Sequence, residues 1–381
     1  MKKYSNIQIL CKCLNSCNQN CSYCFDKKFH SKEKAIIRKE AILNFIDKLF
    51  KEFDEINWIW HGGEILLVGK EWFEEIMYDI IILANTIPNS RISFSLQTNG
   101  TLLTQDWYDL LDKFNVSCSV SWDGAKNLNS RGYSLKEEIL NMVPSTITVI
   151  NENNYDKLID LYKYFSTKNL LSISYNFLFP HDKNYKSFTS DENLIREYKK
   201  FVEYYLYNDG PVERTTDSFI LMSLGNAGSI CQHIDCTNFN FLVLDNEEKI
   251  WKCDNKNNPF MLLGSLKEYS SYDEFLNNSE NYQKMLEIQD YKHEKCENCL
   301  VNWACERGCL NCRVWETEGK EPYSFYCKLI QEIVPFLFDK LYNLTPEEFV
   351  KLNFAVKKNL IQSSYLPQYI LDELMGEDDN D

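Results

Sequence analysis

Three thiols fall within eight residues near the N-terminus, Cys17-Asn-Gln-Asn-Cys21-Ser-Tyr-Cys24, spaced C-x3-C-x2-C. A loop this short can turn all three onto one centre, and the rest of the fold must hold it there. A [4Fe–4S] cluster accepts up to four thiolates, so three would leave one iron open to a non-protein ligand and to chemistry. Zinc is the competing occupant. Structural zinc usually takes four N or S ligands in two pairs; the nearest further candidate is His30, and no H-x3-5-H follows it. A disulfide framework is disfavoured in a long chain with no secretory signal.

The chain has 381 residues, enough for one large core and a smaller domain. Hydrophobic content of 44% and charged content of 25% are those of a globular protein. The opening Met-Lys-Lys-Tyr-Ser-Asn runs directly into a strand, and no apolar run is long enough to span a membrane. The chain therefore reads as cytoplasmic, with no membrane partner, and fifteen Cys in a reducing compartment argue for metal or clusters. A formal net charge of −15 disfavours nucleic acid, whose phosphates need Lys and Arg. Part of that charge lies in Gly376-Glu-Asp-Asp-Asn-Asp381, which reads as a disordered tail.

From about residue 6 to 180, short apolar runs alternate with amphipathic stretches. Strands are predicted at Ile7–Cys11, Ile56–Trp60, Ile92–Gln97, Val116–Trp122, Thr146–Ile150 and Ser172–Leu178. Ile42, Phe45, Ile46, Leu49 and Phe53 follow the spacing of one buried helix face, as do Leu158, Leu161, Tyr162 and Phe165. Such alternation implies βαβ units and a parallel sheet. Six units suggest an α/β fold with a partial (β/α)6 barrel, whose chemistry lies in the loops after the strands. Residues 191–225 read as helical. From Cys231 the texture changes to short strands, turns and Cys.

That second field contains Cys296-x2-Cys299-x5-Cys305-x3-Cys309, with Cys312 and Cys327 beyond and Cys231, Cys236 and Cys253 upstream. On spacing alone, zinc and iron–sulfur fit it equally.

The first loop, with aromatic Tyr23 before its last Cys, resembles the signature of the radical S-adenosylmethionine (radical SAM) superfamily. His61-Gly62-Gly63-Glu64 resembles its Gly-Gly-Glu loop. Leu96-Gln97-Thr98-Asn99-Gly100-Thr101 and Ser121-Trp122-Asp123-Gly124 resemble later strand-end segments. All four follow predicted strands. The second field resembles the SPASM extension of such enzymes. The resemblance implies three [4Fe–4S] clusters: one on Cys17, Cys21 and Cys24, one on Cys231, Cys236, Cys253 and Cys309, and one on Cys296, Cys299, Cys305 and Cys327. Cys312 is an alternative ligand; Cys11 and Cys118 read as small core residues. In that pattern a Gly precedes the upstream Cys by five residues; here the position is Glu248, and Asn246 is expected to turn the hairpin instead. The expected domains are a radical SAM barrel over 1–225, a SPASM domain over 226–340, and a helical extension with the acidic tail over 341–381.

The resemblance further implies reductive cleavage of S-adenosylmethionine to a 5′-deoxyadenosyl radical that abstracts hydrogen from substrate. Tyr23, Gly62, Gly63, Glu64, Gln97, Asn99, Ser121 and Arg131 are its expected cofactor contacts, with Glu64 accepting from the methionine amine. An electron donor such as flavodoxin or ferredoxin is implied. Enzymes with this extension mostly act on peptides or proteins. Over most of residues 5–340 the chain resembles anaerobic sulfatase-maturating enzymes, which use an Asp directly after an auxiliary-cluster Cys as base; Asp254 holds that position. Those enzymes read Cys-Phe-Tyr after the first motif, whereas this chain reads Cys24-Phe25-Asp26. The broader expectation is therefore maturation of a ribosomal peptide by cross-linking, epimerisation or oxidation, with sulfatase maturation or a small-metabolite substrate as alternatives. Strand one begins near residue 7, so no leader-binding domain is expected ahead of it.

Overall fold

The computed structural model describes residues 3–125, 128, 130–132, 135–178, 189–226, 228–291, 293–319, 321, 324–342 and 344–363. The expected acidic tail lies outside them. Compactness groups the described residues into two units that interleave in sequence. One gathers chiefly 3–149 and 236–291, the other 150–177, 189–235 and 293–363.

The first unit is built on a sheet. Strands β1 (Tyr4–Lys12), β2 (Phe53–His61), β3 (Arg91–Thr98), β4 (Val116–Ser121) and β5 (Ser145–Val149) lie side by side in chain order, all parallel. Helices α1 (Lys39–Phe50), α2 (Lys70–Thr86) and α3 (Gln105–Lys113) return the chain between the first four, since parallel neighbours need such crossovers. Alternation places Phe53, Ile56, Trp58 and Trp60 of β2 in the core, where the two indoles meet edge to face at 5.6 Å. α1 buries Ile42, Phe45, Ile46 and Leu49 along one stripe. Phe53, which continues that spacing in the sequence, is not part of the helix: it opens β2 and is buried from there.

The second unit holds the sixth predicted strand, β6 (Ser172–Asn176), parallel to the short β7 (Val212–Glu213). Helix α4 (Leu158–Phe165) buries Leu158, Leu161, Tyr162 and Phe165, as the spacing predicts. The single helical region expected over 191–225 is instead two helices, α5 (Asp191–Leu206) and α6 (Arg214–Ser223), with β7 between them. Pro211 cannot donate a backbone hydrogen bond. Gly210 is pressed so closely on α4 that a Cβ there would lie 2.4 Å from Ser166 Oγ. Short helices Glu294–Glu297, Asn302–Cys305 and Leu310–Thr317 then lead into a long one, Ser324–Tyr342. Among the described residues no helix is long and apolar enough to cross a membrane.

One sheet extension was not anticipated. Back in the first unit, β8 (Phe241–Asp245) pairs in parallel with β1, Leu10 opposite Val243 and Lys12 opposite Asp245. Strands β9 (Lys249–Trp251) and β10 (Leu262–Ser265) follow antiparallel. β1 is therefore flanked on both sides. The residue that takes the left-handed conformation in the β8–β9 hairpin is Glu248, at φ 61°, rather than Asn246. This is the position at which the SPASM-like pattern has Gly. A side chain there is anchored by two hydrogen bonds from Arg38, at 2.6 and 2.8 Å.

Candidate active site

Every motif singled out in the first half of the chain follows the C-terminal end of a strand. Cys17–Cys24 follows β1, Gly62–Glu64 follows β2, Asn99 follows β3, and Asp123 lies two residues beyond β4. The loop after β2 is moulded onto the approach to the cysteines. Gly63 N donates to Leu14 O at 3.1 Å and Glu64 N to Ser16 O at 2.8 Å. A Cβ on Gly63 would stand 2.1 Å from Ser16 O, and one on Gly62 2.7 Å from Leu14 O. Those are backbone atoms that cannot swing aside, so both positions require glycine here.

Glu64 is 1% exposed and its side chain is taken up by the protein. It accepts from Leu66 N at 3.0 Å, Thr98 Oγ1 at 2.6 Å and Asn99 N at 2.7 Å, which ties the β2 loop to the end of β3. Burial pushes its acidity weaker than usual, opposed by those three donors. Asn99 in turn donates to Asn18 Oδ1 at 2.9 Å and lies 3.8 Å from Cys17 Sγ. Gln97 donates to Ser121 Oγ at 2.8 Å, so these two expected contacts do come together. Tyr23 donates its hydroxyl to the fully buried Asp123. Arg131 also bonds Asp123, at 2.9 Å, and its guanidinium lies 5.6 Å from the Tyr23 ring centre. In this structure Arg131 thus braces the cysteine loop from the side.

The three thiols influence one another. Cys24 is pushed up to about 11 by burial first, then by Asp26, Cys21 and Cys17; Cys17 and Cys21 are also raised, burial leading. Without a metal they are protonated thiols, and a bound metal would take the place of those protons.

A buried ion cluster lies beside the loop. Lys12, 2% exposed, places Nζ 2.6 Å from Asp26 Oδ2, 2.5 Å from Asp254 Oδ1 and 2.8 Å from Asp254 O. Burial would lower Lys12, but Asp254 and Asp26 more than offset it and hold it above its ordinary value. Burial likewise opposes ionisation of Asp254, yet Lys12 first, then His61, keeps its carboxyl below the usual range. Asn257 Nδ2 adds a bond to Phe25 O at 2.6 Å. The segment after Cys253 is thereby clasped to the segment after Cys24. Sequence reading missed Lys12, Asp26 and His61 as site residues; the available signal was a lysine inside the otherwise apolar run Ile9-Leu10-Cys11-Lys12-Cys13.

In the second unit Cys296, Cys299, Cys305 and Cys327 line one cavity of about 460 Å³, the four-residue set expected from sequence. Cys305 is pushed up to about 12 by burial, then by Cys327, Cys296 and Cys299. Among the described residues no group of three or more His, Cys, Asp or Glu closes tightly about a single ion. Between Cys305 and Cys309, Glu306, Arg307 and Gly308 all take the left-handed conformation, at φ 45°, 65° and 76°. Strain of this kind collects at functional sites. The turn leaves Cys305 on the cavity wall and Cys309 off it, buried and hydrogen-bonded to Cys312. Of the other proposed set, Cys231 and Cys309 belong to the second unit, Cys236 and Cys253 to the first.

Residues 12–165 match the model of the Radical SAM superfamily. The chain carries a radical SAM domain. It is an enzyme, 24% identical over 372 residues to the cysteine-type anaerobic sulfatase-maturating enzyme of Clostridium perfringens, covering 87% of this chain and 95% of that one. The fold is similar to that of anSMEcpe solved with bound AdoMet and a peptide (TM-score 0.75, 22% identity, 89% of this chain and 98% of that one). It also resembles Streptococcus suis SuiB bound to its precursor peptide SuiA (TM-score 0.58, 12% identity, 84% and 76%).

The residues present fit the groups a radical SAM domain uses. Cys17, Cys21 and Cys24 offer three buried or half-buried thiols on one loop, and Asn99 and the Gly62–Gly63 turn hold that loop from below. In this structure Gly62 and Gly63 pack on the backbone of Leu14 and Ser16, and the Glu64 carboxylate is engaged by Leu66 N, Thr98 Oγ1 and Asn99 N.

Proposed function

We propose that this radical SAM enzyme modifies one residue of a peptide, as a maturase of a ribosomally made peptide. The observation that carries this reading is the clasp of Lys12 on Asp26 and Asp254. The cluster and S-adenosylmethionine, when bound at Cys17, Cys21 and Cys24, supply a carbon-centred radical that takes hydrogen from substrate. The chain's part is to hold the loop, through Glu64 and Asn99, and to close the floor beside it, through Lys12. Asp254 is ionised there but bound to a cation, which makes it a weak base. A cross-link or epimerisation that needs no strong base at Asp254 suits such a site. An auxiliary [4Fe–4S] cluster on Cys296, Cys299, Cys305 and Cys327, with the second auxiliary cluster that the resemblance implies, completes the cofactor set, and a flavodoxin- or ferredoxin-type donor reduces it. Solved proteins of similar fold hold peptides, which supports a peptide substrate.

Sulfatase maturation is the second reading, favoured by the similarity over 87% of the chain and by the position of Asp254 directly after Cys253. One experiment separates them. The reconstituted enzyme, with S-adenosylmethionine and dithionite, is offered a cysteine-containing sulfatase-type peptide, and peptides co-purifying with the Cys17→Ala variant are identified by mass spectrometry. An aldehyde on the sulfatase-type peptide, abolished by Asp254→Asn, would establish the second reading and reject the first. A small, non-sulfatase peptide held by the Cys17→Ala variant and altered by the wild type supports the first.

A further inference from the structure

His233 lies outside all of the chemistry described so far. It closes a single turn, Cys231–His233, and is 2% exposed. Its ring packs 5.9 Å from Phe219 and stands perpendicular to Tyr326 at 6.1 Å, so aromatic neighbours fix its plane. Nδ1 lies 3.4 Å from Cys305 Sγ. Nε2 is buried with no hydrogen-bond partner among the described residues. All of these contacts lie within the second unit.

We propose that His233 is a positioning residue for the auxiliary cluster of Cys296, Cys299, Cys305 and Cys327, donating Nδ1–H to Cys305 Sγ and raising that cluster's reduction potential. This rests on the reading of those four thiols as ligands of one cluster. A metal-bound cysteine is a thiolate and has no proton to give, so only the Nδ1–H tautomer keeps the contact. That tautomer leaves a lone pair, not an N–H, unpartnered at Nε2, and orphaned buried N–H groups are the rarer of the two. Ligand geometry and electronics at metal sites are commonly tuned by such outer hydrogen bonds. A donor to a cluster sulfur offsets the added negative charge of the reduced state, and hydrogen bonds to sulfur are among the determinants of cluster potential. The rigid ring, clamped by Phe219 and Tyr326, delivers the donor without ordering cost at the moment of electron transfer. Cys305 also begins the left-handed Glu306–Gly308 turn, so the bond pins the thiolate where the backbone departs for Cys309.

The test uses the full chain, reconstituted anaerobically, in two variants. His233→Phe keeps an aromatic ring and removes the donor. His233→Asn loses the ring and places an amide N–H near the position of Nδ1. Iron is counted, and the couple is followed by redox titration with electron paramagnetic resonance, the relevant signal being the one lost in a Cys296→Ser, Cys299→Ser double variant. His233→Phe should shift the oxidised-to-reduced ratio at fixed potential about tenfold toward oxidised, about 59 mV for a one-electron couple, and His233→Asn should restore most of it. Loss of this site's iron in His233→Phe with retention in His233→Asn would also support the assignment. Equal potentials in wild type and His233→Phe at full iron content overturn the inference and leave the cluster reading standing, as does an Asn variant that behaves like the Phe variant. A wild-type protein with no signal dependent on Cys296 and Cys299 overturns both.

Discussion

Lys12 stays charged in a nearly solvent-free position because two carboxylates and a carbonyl surround its ammonium group. Breaking a fully buried pair typically costs about 3–5 kcal/mol; here Asp26 is left largely buried while Asp254, 32% exposed, regains water, so the cost falls below that range. Lys12→Met should therefore lower the thermal unfolding midpoint substantially, and Lys12→Arg much less; an unchanged midpoint for the methionine variant would show that water already screens the pair. His61 stands beside the same cluster. Burial holds its ring below the ordinary value of 6.5, with Lys12 adding to the effect and Asp254 and Asp26 opposing it. The folded ring is then neutral where the unfolded one is protonated. Below about pH 6.5 the unfolded chain binds the additional proton, so stability falls as pH drops through that window. Urea midpoints measured across this range should lose that component in His61→Gln.

At the scale of elements, the β8–β9 hairpin shows how a local rule can be broken and compensated. A residue other than glycine in the left-handed region costs about 1–2 kcal/mol, and Glu248 bears that cost while bonding Arg38 twice. Glu248→Gly relieves the strain, loses the exposed pair and adds chain entropy to the unfolded state, so its unfolding midpoint should stay close to wild type. Glu248→Val keeps the strain with a bulkier branch and loses the pair; it should unfold clearly earlier, and a glycine variant less stable than the valine one would refute this account. The same hairpin marks where sequence reading ends. Six strands were legible because each carries its own β-branched and aromatic pattern, as in Ile7–Cys11 and Ile56–Trp60. The pairing of Leu10 with Val243 was not, because register between segments so far apart leaves no local signal. The break at Gly210-Pro211 was readable in principle; the apolar spacing on either side of it masked it. Cys296, Cys299, Cys305 and Cys327 were grouped from the resemblance, and the cavity they line brings them together in space. Lys12 was passed over, since nothing in a single sequence says which carboxylates will face a lysine.

Over the whole molecule, the three [4Fe–4S] clusters proposed above predict about twelve irons per chain in the anaerobically prepared protein. One or two zinc ions with little iron would overturn that count. The two sheet-and-cysteine regions should also respond differently to a chelator. Helices of four residues, such as Glu294–Glu297 and Asn302–Cys305, cannot persist on their own. Amide hydrogen exchange over 294–309 should accelerate once iron is removed, while β1–β4 amides, held by their own ladders, remain protected. The mould that Gly62, Gly63 and Asn99 form around the first cysteine loop has a consequence for biosynthesis. On the ribosome, Cys17 emerges long before its supports: the glycines follow some forty-five residues later and Asn99 about eighty. At about 5–20 residues per second, the thiols wait seconds in the open with no fixed geometry. The fixed geometry of the three thiols therefore arises only after β3 has emerged.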